Sequence, residues 1–220
     1  AFTAMRKVRA AKPEQTEFVC ASAGNHAQGV AFACKHFGVT GTIFMPVTTP
    51  QQKIDKTRAF GGDWVRIVLT GDYFDKTLGA AQAFRTEKGA HFLSPFDDED
   101  VIEGQASVAV EMLDQLGQAP DLVILPVGGG GLASGVTRYL RSEAPQTEFR
   151  FVEPLGGASL TAALAGQGPV TLKKVNSFVD GAAVARLGAR TFEALKIVRA
   201  DEVLLAPEDR ICVTMLEMLN

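Results

Sequence analysis

Four consecutive glycines, Gly128 to Gly131, follow the apolar run 122–127 and precede a segment with helical periodicity. Because glycine has no side chain, every backbone N–H group of such a loop can point toward one anion. The partial positive charge at the start of the following helix favours an anion at the same place. A bound phosphate would also offset the conformational entropy that four glycines lose on folding. The motif therefore favours a site for the phosphate group of a small cofactor.

Two other interpretations of this loop stay open. Gly128, Gly130 and Ala133 fit the pattern G-x-G-x-x-A, and Glu153 follows about 20 residues later, as in a dinucleotide-binding fingerprint. However, that fingerprint needs fewer glycines, and it usually opens its fold rather than following several other strand–helix units. The third interpretation is a turn with a structural role only.

A second polar turn occupies residues 22–26, directly after the predicted strand 18–21. Ser22 supplies a hydroxyl and Asn25 an amide, and the helix that follows favours an anion such as a carboxylate. Ser and Asn are also ordinary N-cap residues, which is the structural alternative. Both turns follow predicted strands, and ligands of open α/β sheets gather at the carboxyl ends of the strands. Together they favour a binding site.

The elements that must position these turns alternate along the chain. Short apolar segments alternate with segments of helical periodicity, which predicts an α/β fold with mostly parallel sheets covered on both faces. Strands are predicted at 18–21, 42–45, 64–69, 91–93, 122–127, 149–152 and 202–205. Helices are predicted at 2–11, 26–37, 51–60, 74–88, 101–116, 132–142, 159–165, 189–195 and 208–219. The acidic segment 94–100 is interpreted as a solvated loop that crosses between two sub-domains.

Composition excludes several classes of function. The net charge is −3, with acidic and basic residues interleaved, so no nucleic-acid partner is expected. No apolar stretch reaches the roughly 20 residues of a membrane span. The three scattered cysteines, Cys20, Cys34 and Cys212, are predicted to be free thiols in a reducing cytoplasm. Ala1 is not an initiator methionine and the sequence stops at Asn220, directly at the end of the predicted helix 208–219, so we expect an interior piece of a longer chain.

Two segments carry a family resemblance. Residues 22–29 (SAGNHAQG) and 126–132 (PVGGGGL) resemble the signature segments of threonine dehydratases, which are fold type II, tryptophan-synthase-β-like enzymes that use pyridoxal phosphate. The resemblance continues through residues 95–98, 101–105 and 178–184. It implies two three-layer α/β domains with mostly parallel sheets. The small domain would span residues 16–95, and the large, cofactor-binding domain would contain residues 1–15 and 96–220.

The resemblance also implies an activity. L-Threonine would be dehydrated and deaminated to 2-oxobutanoate and ammonia, in isoleucine biosynthesis or in threonine breakdown. We expect that L-serine would also be accepted and would give pyruvate and ammonia. Alternatives are a serine or 3-hydroxyaspartate dehydratase or racemase of the same family, or a non-catalytic pyridoxal-phosphate-binding paralogue. Family members are commonly homodimers or homotetramers, and the implied partner is a small amino acid.

Site residues follow from the resemblance, position by position. The cofactor phosphate would be held by Gly128, Gly129, Gly130, Gly131 and Leu132. Asn25 would hydrogen-bond the ring hydroxyl of the cofactor, and the turn at Gly181 would line its pocket. The substrate carboxylate would be held by Ser22, Ala23, Gly24 and His26.

This chain departs from the family pattern at its beginning. The family's Schiff-base lysine lies in a Lys-x-Arg-Gly-Ala-Phe segment, of which Ala1 and Phe2 resemble the end. That lysine would lie four residues before Ala1, so no catalytic residue is predicted inside the chain. Six internal lysines are predicted to be solvated, namely Lys53, Lys56, Lys76, Lys88, Lys173 and Lys174. The 220-residue chain alone should therefore bind the cofactor weakly, without covalent attachment, and show no turnover.

Two further departures concern stereochemistry and metal binding. Related serine racemases have a serine where this chain has Ala23, so elimination is expected rather than racemisation. Glu153 matches one carboxylate of a family divalent-cation site, but Ser159 stands where a second would be expected. One carboxylate is a poor site for a hard cation, so no metal is predicted and Glu153 stays the single candidate ligand.

Overall fold

The computed structural model describes residues 1–72 and 74–219, without the side chains of Phe74 and Asp75. The chain forms two compact units, Ala1–Pro95 and Phe96–Asn220. The boundary lies in the segment where the sequence predicts a crossing between sub-domains. Within the described residues, no helix is both long and apolar enough to cross a membrane.

The first unit is built around a parallel sheet. Its helices are α1 (Phe2–Ala11), α2 (Asn25–Phe37), α3 (Gln51–Gly61) and α4 (Phe74–Lys88), and its strands are β1 (Glu17–Ala21), β2 (Thr40–Met45), β3 (Val65–Leu69) and β4 (His91–Phe92). The strand order is β3-β2-β1-β4, and every pair is parallel. Residues 18–21 of the inner strand β1 are fully buried, because strands of a parallel sheet are covered on both faces.

Helix α1 packs within the first unit. The ring of Phe2 lies 4.9 Å from the ring of Phe37 and 4.9 Å from that of His36, both in α2. These aromatic contacts place residues 1–15 with the first unit, whereas the sequence analysis assigned them to the large domain. The assignment of domains in a longer protein stays a prediction.

The second unit has a three-stranded parallel sheet in the order β5-β6-β7. Its helices are α5 (Glu99–Gln105), α6 (Ser107–Leu116), α7 (Gly131–Glu143), α8 (Ser159–Ala165), α9 (Ala189–Leu195) and α10 (Glu208–Leu219), and its strands are β5 (Leu122–Pro126), β6 (Glu148–Pro154) and β7 (Val203–Ala206). Single 3₁₀ turns lie at Leu155–Gly157 and Ala200–Glu202 in this unit, and at Gly62–Trp64 in the first unit.

One face of β5 belongs to the core of the second unit. Val123 and Leu125 are buried in the same cluster as Leu140 of α7 and Phe151 of β6. The alternate residues of the strand are exposed, and Ile124 retains 61% of its accessible surface. This alternation follows from the two-residue period of a strand, and the expectation that both faces of the parallel sheets are covered is wrong for β5. The buried face anchors the strand that leads into the glycine loop.

The predicted helix 101–116 is wrong in one respect, because it is divided at Ala106 into α5 and α6. Helix α7 passes very close here: a Cβ atom added to Gly135 would lie 2.8 Å from the amide nitrogen of Ala106 and would overlap the carbonyl oxygen of Ile102. The break therefore coincides with a tight approach of two backbones, which the absence of a side chain on Gly135 permits. The other predicted elements are confirmed to within two residues at each end.

Candidate functional site

The glycine loop joins β5 to α7 in the second unit. The amide of Val127 still donates to the carbonyl of Val152, 2.9 Å away, so the sheet continues to the edge of the loop. Gly130 is the N-cap of α7 and has a φ of 87°. Side chains rarely allow this left-handed conformation, so Gly130 is required by the backbone itself.

The neighbouring glycines are required by close packing. A Cβ atom on Gly129 would overlap the ring of Phe96, and one on Gly131 would lie 3.0 Å from the Cβ atom of Phe96. A Cβ atom on Gly128 would lie 3.0 Å from the Cα atom of Ala182. The unit therefore packs directly against one side of the bare backbone.

The carbonyl groups of Gly128, Gly129 and Gly130 accept hydrogen bonds, whereas the amide groups of the loop donate none within the described residues. The Gly128 carbonyl accepts from Ser159 Oγ at 3.0 Å and the Gly129 carbonyl from Thr191 Oγ1 at 2.8 Å. The Gly130 carbonyl accepts from an amide of α7 at 2.8 Å. Among the described residues, no hydrogen bond is donated by the amides of residues 128–132. Free amides at a helix start are an anion site, so the loop fits a phosphate group.

Gly181 lies in a turn beside this loop. The turn is closed by a hydrogen bond from the Ala182 amide to the Val179 carbonyl, 3.0 Å long. Because Ala182 is the residue that a side chain on Gly128 would meet, the turn and the glycine loop are neighbours. A Cβ atom on Gly181 would find no atom within 4 Å, so nothing in the packing requires glycine at that position.

In the first unit, the turn of residues 22–26 continues β1 and opens α2. The Ser22 amide donates to the Phe44 carbonyl at 3.0 Å, and Ser22 Oγ accepts from the Gly24 amide at 3.2 Å. Asn25 is exposed at the first position of α2. In the described part of the chain, the amides of Asn25 and His26 donate to no partner. The predicted carboxylate-binding segment thus also combines free amides with a helix start.

His26 is a neutral imidazole. Its Nε2 atom lies 3.0 Å from the Leu93 carbonyl, and since a carbonyl only accepts, Nε2 carries the hydrogen. Burial lowers the pKa of His26 from 6.5 to about 4. Near neutral pH this residue therefore adds no charge to the segment where the sequence analysis placed it as a carboxylate ligand.

Glu153, the candidate metal ligand, is completely buried and holds the start of α8. Its Oε1 atom accepts from the Leu160 amide at 2.6 Å, and its Oε2 atom accepts from the Thr161 amide at 2.9 Å and the Thr161 hydroxyl at 2.8 Å. The described residues contain no group of three potential metal ligands. Both carboxylate oxygens thus have a structural role, which no local sequence signal indicates.

The prediction of a solvated acidic loop at residues 94–100 is wrong for two of its carboxylates. Asp98 caps α5, accepting from the amides of Asp100 at 2.9 Å and Val101 at 3.1 Å. Asp97 caps α9, more than 90 residues further along the chain. An aspartate before a helical segment is a recognisable cap signal for Asp98, but no local signal relates Asp97 to α9.

Comparison with known proteins identifies the family. The family model described as "Pyridoxal-phosphate dependent enzyme" matches residues 1–220. The chain belongs to this family of pyridoxal-phosphate dependent enzymes. The family resemblance and the α/β fold are therefore confirmed, and the match supports pyridoxal phosphate rather than a dinucleotide as the cofactor.

Among the relatives of this chain, the biosynthetic L-threonine dehydratase IlvA of Bacillus subtilis is 47% identical over 219 residues, covering 99% of this chain and 52% of the relative. That of Lactococcus lactis is 45% identical over 205 residues, covering 92% and 49%. The chain spans about half the length of the curated relatives it matches.

Solved structures of a threonine deaminase and a serine racemase have a similar fold. The processed form of threonine deaminase isoform 2 from Solanum lycopersicum has a TM-score of 0.84 at 39% identity, covering 94% of this chain and 58% of that chain. Maize serine racemase has a TM-score of 0.86 at 28% identity, covering 98% and 65%.

Proposed function

We propose that the protein carrying this chain is an L-threonine dehydratase that converts L-threonine to 2-oxobutanoate and ammonia, and that it also accepts L-serine. The observation that supports this best is the glycine loop, whose carbonyls are engaged while its amides are free. The two named relatives, at 47% and 45% identity, point to the same reaction.

The proposed cofactor residues belong to three segments of the chain. Amides of Gly128, Gly129, Gly130, Gly131 and Leu132 would hold the phosphate of pyridoxal phosphate, with the positive end of α7 adding to the attraction. The exposed amide side chain of Asn25 would hydrogen-bond the ring hydroxyl, and the turn at Gly181 would line the pocket. When bound, pyridoxal phosphate supplies a conjugated ring that stabilises negative charge at the α-carbon of an amino acid.

The substrate carboxylate would bind to the turn that opens α2. Ser22, Ala23, Gly24 and His26 supply this segment, and the free amides of the first helical residues are suited to an anion. Because His26 is neutral, the attraction comes from N–H groups and the helix start rather than from an imidazolium charge. Ala23 has no hydroxyl that could return a proton, which supports elimination over racemisation.

The base that removes the α-proton is proposed to be the family's lysine, four residues before Ala1. The internal lysines at 12, 35, 56, 76, 88, 173, 174 and 196 are exposed, and Lys7 and Lys53 are half-buried. Exposed ammonium groups lack the desolvation that turns a lysine into a base at neutral pH.

A serine-specific enzyme or a racemase is the second candidate, because maize serine racemase has the same fold over 98% of the chain. The absence of a hydroxyl at Ala23 argues against racemisation.

We further propose a cytoplasmic homo-oligomer, a dimer or a tetramer, that acts in isoleucine biosynthesis. Cys20 and Cys34 are buried free cysteines. Burial raises the pKa of the Cys34 thiol to about 12 and also raises that of Cys20. Protonated, buried thiols are consistent with a reducing compartment.

The decisive experiment is an assay of the natural protein with L-threonine, L-serine and L-3-hydroxyaspartate. We expect 2-oxobutanoate from L-threonine at the highest kcat/KM, and chiral chromatography should show no D-amino acid. A preference for serine or 3-hydroxyaspartate would replace threonine as the proposed substrate, and no turnover of any of the three would contradict the proposal.

The 220-residue chain provides a second test. It should bind pyridoxal phosphate weakly and reversibly, and borohydride reduction should leave all of its lysines unmodified. Peptide mapping that finds a pyridoxyl group on an internal lysine would contradict the placement of the catalytic lysine upstream.

A further inference from the structure

Two short helices each present a hydroxyl group to the glycine loop. Ser159, the first residue of α8, donates to the Gly128 carbonyl at 3.0 Å. Thr191, the third residue of α9, donates to the next carbonyl, that of Gly129, at 2.8 Å. Both side chains are fully buried. Consecutive carbonyls of the loop are therefore fixed by two separate elements of the same unit.

A carboxylate holds each of these helices by its first turn. For α8, Glu153 accepts hydrogen bonds from the amides of Leu160 and Thr161. For α9, Asp97 accepts from three successive amides, those of Ala189 at 3.0 Å, Arg190 at 2.7 Å and Thr191 at 3.3 Å. The two hydroxyl groups consequently have fixed positions relative to the loop.

Peptide geometry converts fixed carbonyls into fixed amides. In a planar trans peptide, the C=O of one residue and the N–H of the next point in opposite directions. The Ser159 hydrogen bond therefore sets the direction of the Gly129 N–H, and the Thr191 hydrogen bond sets that of the Gly130 N–H. Both N–H groups point away from the hydroxyl donors, toward the side where no protein partner is found among the described residues.

Glycine peptides need this restraint, because a residue without a Cβ atom can adopt many backbone conformations. A rotated peptide would direct a carbonyl oxygen at a bound phosphate and repel it. We propose that Ser159 and Thr191 are positioning residues for the phosphate-binding loop, held in place by Glu153 and Asp97. This inference rests on the proposed function, in which the loop binds the phosphate of pyridoxal phosphate.

The test compares two variants with a matched control in the natural protein. Thr191→Val and Ser159→Ala each remove one hydroxyl. Thr137→Val is the control, because the equally buried Thr137 hydroxyl donates to the Ala133 carbonyl at 2.5 Å, within α7 rather than to the loop. Dissociation constants are measured for pyridoxal phosphate and for pyridoxal, which lacks the phosphate.

For each of the two variants we expect about tenfold weaker binding of pyridoxal phosphate, the loss that corresponds to one hydrogen bond. Pyridoxal should bind as it does to the wild type, and Thr137→Val should change neither constant. The variants Thr191→Ser and Ser159→Thr keep a hydroxyl group and should therefore bind pyridoxal phosphate about as tightly as the wild type. Unchanged affinity for pyridoxal phosphate in both variants, or an equal loss for the two ligands, would overturn the proposal.

A crystal structure of the Ser159→Ala/Thr191→Val double variant without cofactor tests the same point independently of ligand binding. We expect the peptides after Gly128 and Gly129 to be rotated or to occupy several orientations, and retained wild-type orientations would overturn the proposal. If the wild-type protein binds no pyridoxal phosphate, the proposed function fails, whereas this structure still decides whether the two hydroxyls position the loop.

Discussion

The Nε2 atom of His26 donates a hydrogen bond to the Leu93 carbonyl, 3.0 Å away. This bond connects the turn that opens α2 to the residue that follows β4. It needs only one imidazole hydrogen, and the lowered pKa of the ring shows that a second proton is unfavourable in the folded chain.

The pH dependence of stability follows from this relationship. Because the pKa of His26 falls from 6.5 to about 4 on folding, the unfolded chain binds a proton at intermediate pH that the folded chain does not bind. The contribution of His26 to the free energy of unfolding should therefore be fully present above pH 6.5 and should be lost as the pH falls toward 4. Urea unfolding of the wild type and of His26→Gln, whose side-chain amide can still donate to Leu93, measures the contribution. Parallel pH curves for the two proteins would show that His26 is not responsible.

Replacing Glu153 with glutamine should destabilise the second unit. Glutamine keeps one acceptor oxygen but cannot accept at both positions, so an amide at the start of α8 loses its buried partner. We expect a loss of about 1–3 kcal/mol in the free energy of unfolding, measured by urea titration. Glu148→Gln is the control, because Glu148 forms an exposed ion pair with Arg150 and should cost less than about 1 kcal/mol. Equal losses would contradict the capping role.

Gly129 and Gly181 should differ sharply in their tolerance of alanine. Gly129→Ala would place a Cβ atom against the Phe96 ring, and we expect about 1–3 kcal/mol of destabilisation with loss of pyridoxal-phosphate binding. Gly181→Ala meets no atom within 4 Å, so its stability should change by about 0.5 kcal/mol or less. Thermal unfolding of both variants checks this. A smaller residue at Phe96 should partly restore Gly129→Ala, and no restoration would show that the clash is not the cause.

Ala23→Ser should alter the stereochemical outcome in the natural protein. The new hydroxyl would stand where related serine racemases have a serine, so it could return a proton to the α-carbon. We expect D-serine to form from L-serine while elimination continues, with the two products separated by chiral chromatography. Elimination alone, at the wild-type rate, would show that residue 23 does not control the outcome.

The sequence was sufficient to predict the parts of the site that depend on neighbouring residues. The glycine loop and the turn of residues 22–26 are local patterns, with a strand before and a helix after, and both are found where they were predicted. The hydrogen bonds of Asp97 to α9 span 92 to 94 residues, so nothing beside Asp97 in the sequence reveals them.

Glu153 shows a related difficulty. Its type and position suit a metal ligand as well as a helix cap, and only the folded backbone shows that its oxygens are taken by α8. Likewise, the break at Ala106 lies where α7 approaches closely, and helical periodicity does not encode that approach.

The open edges and exposed apolar side chains of the second sheet have a practical consequence for work with this chain. In the part of the chain that the structure describes, β5 and β7 each pair with β6 alone, so each presents an unpaired row of backbone groups. Ile124 on β5 and Leu204 on β7 are 61% and 48% exposed. Open strand edges with apolar side chains favour aggregation. Low protein concentrations and a solubilising fusion partner are therefore the conditions under which the isolated chain should stay in solution.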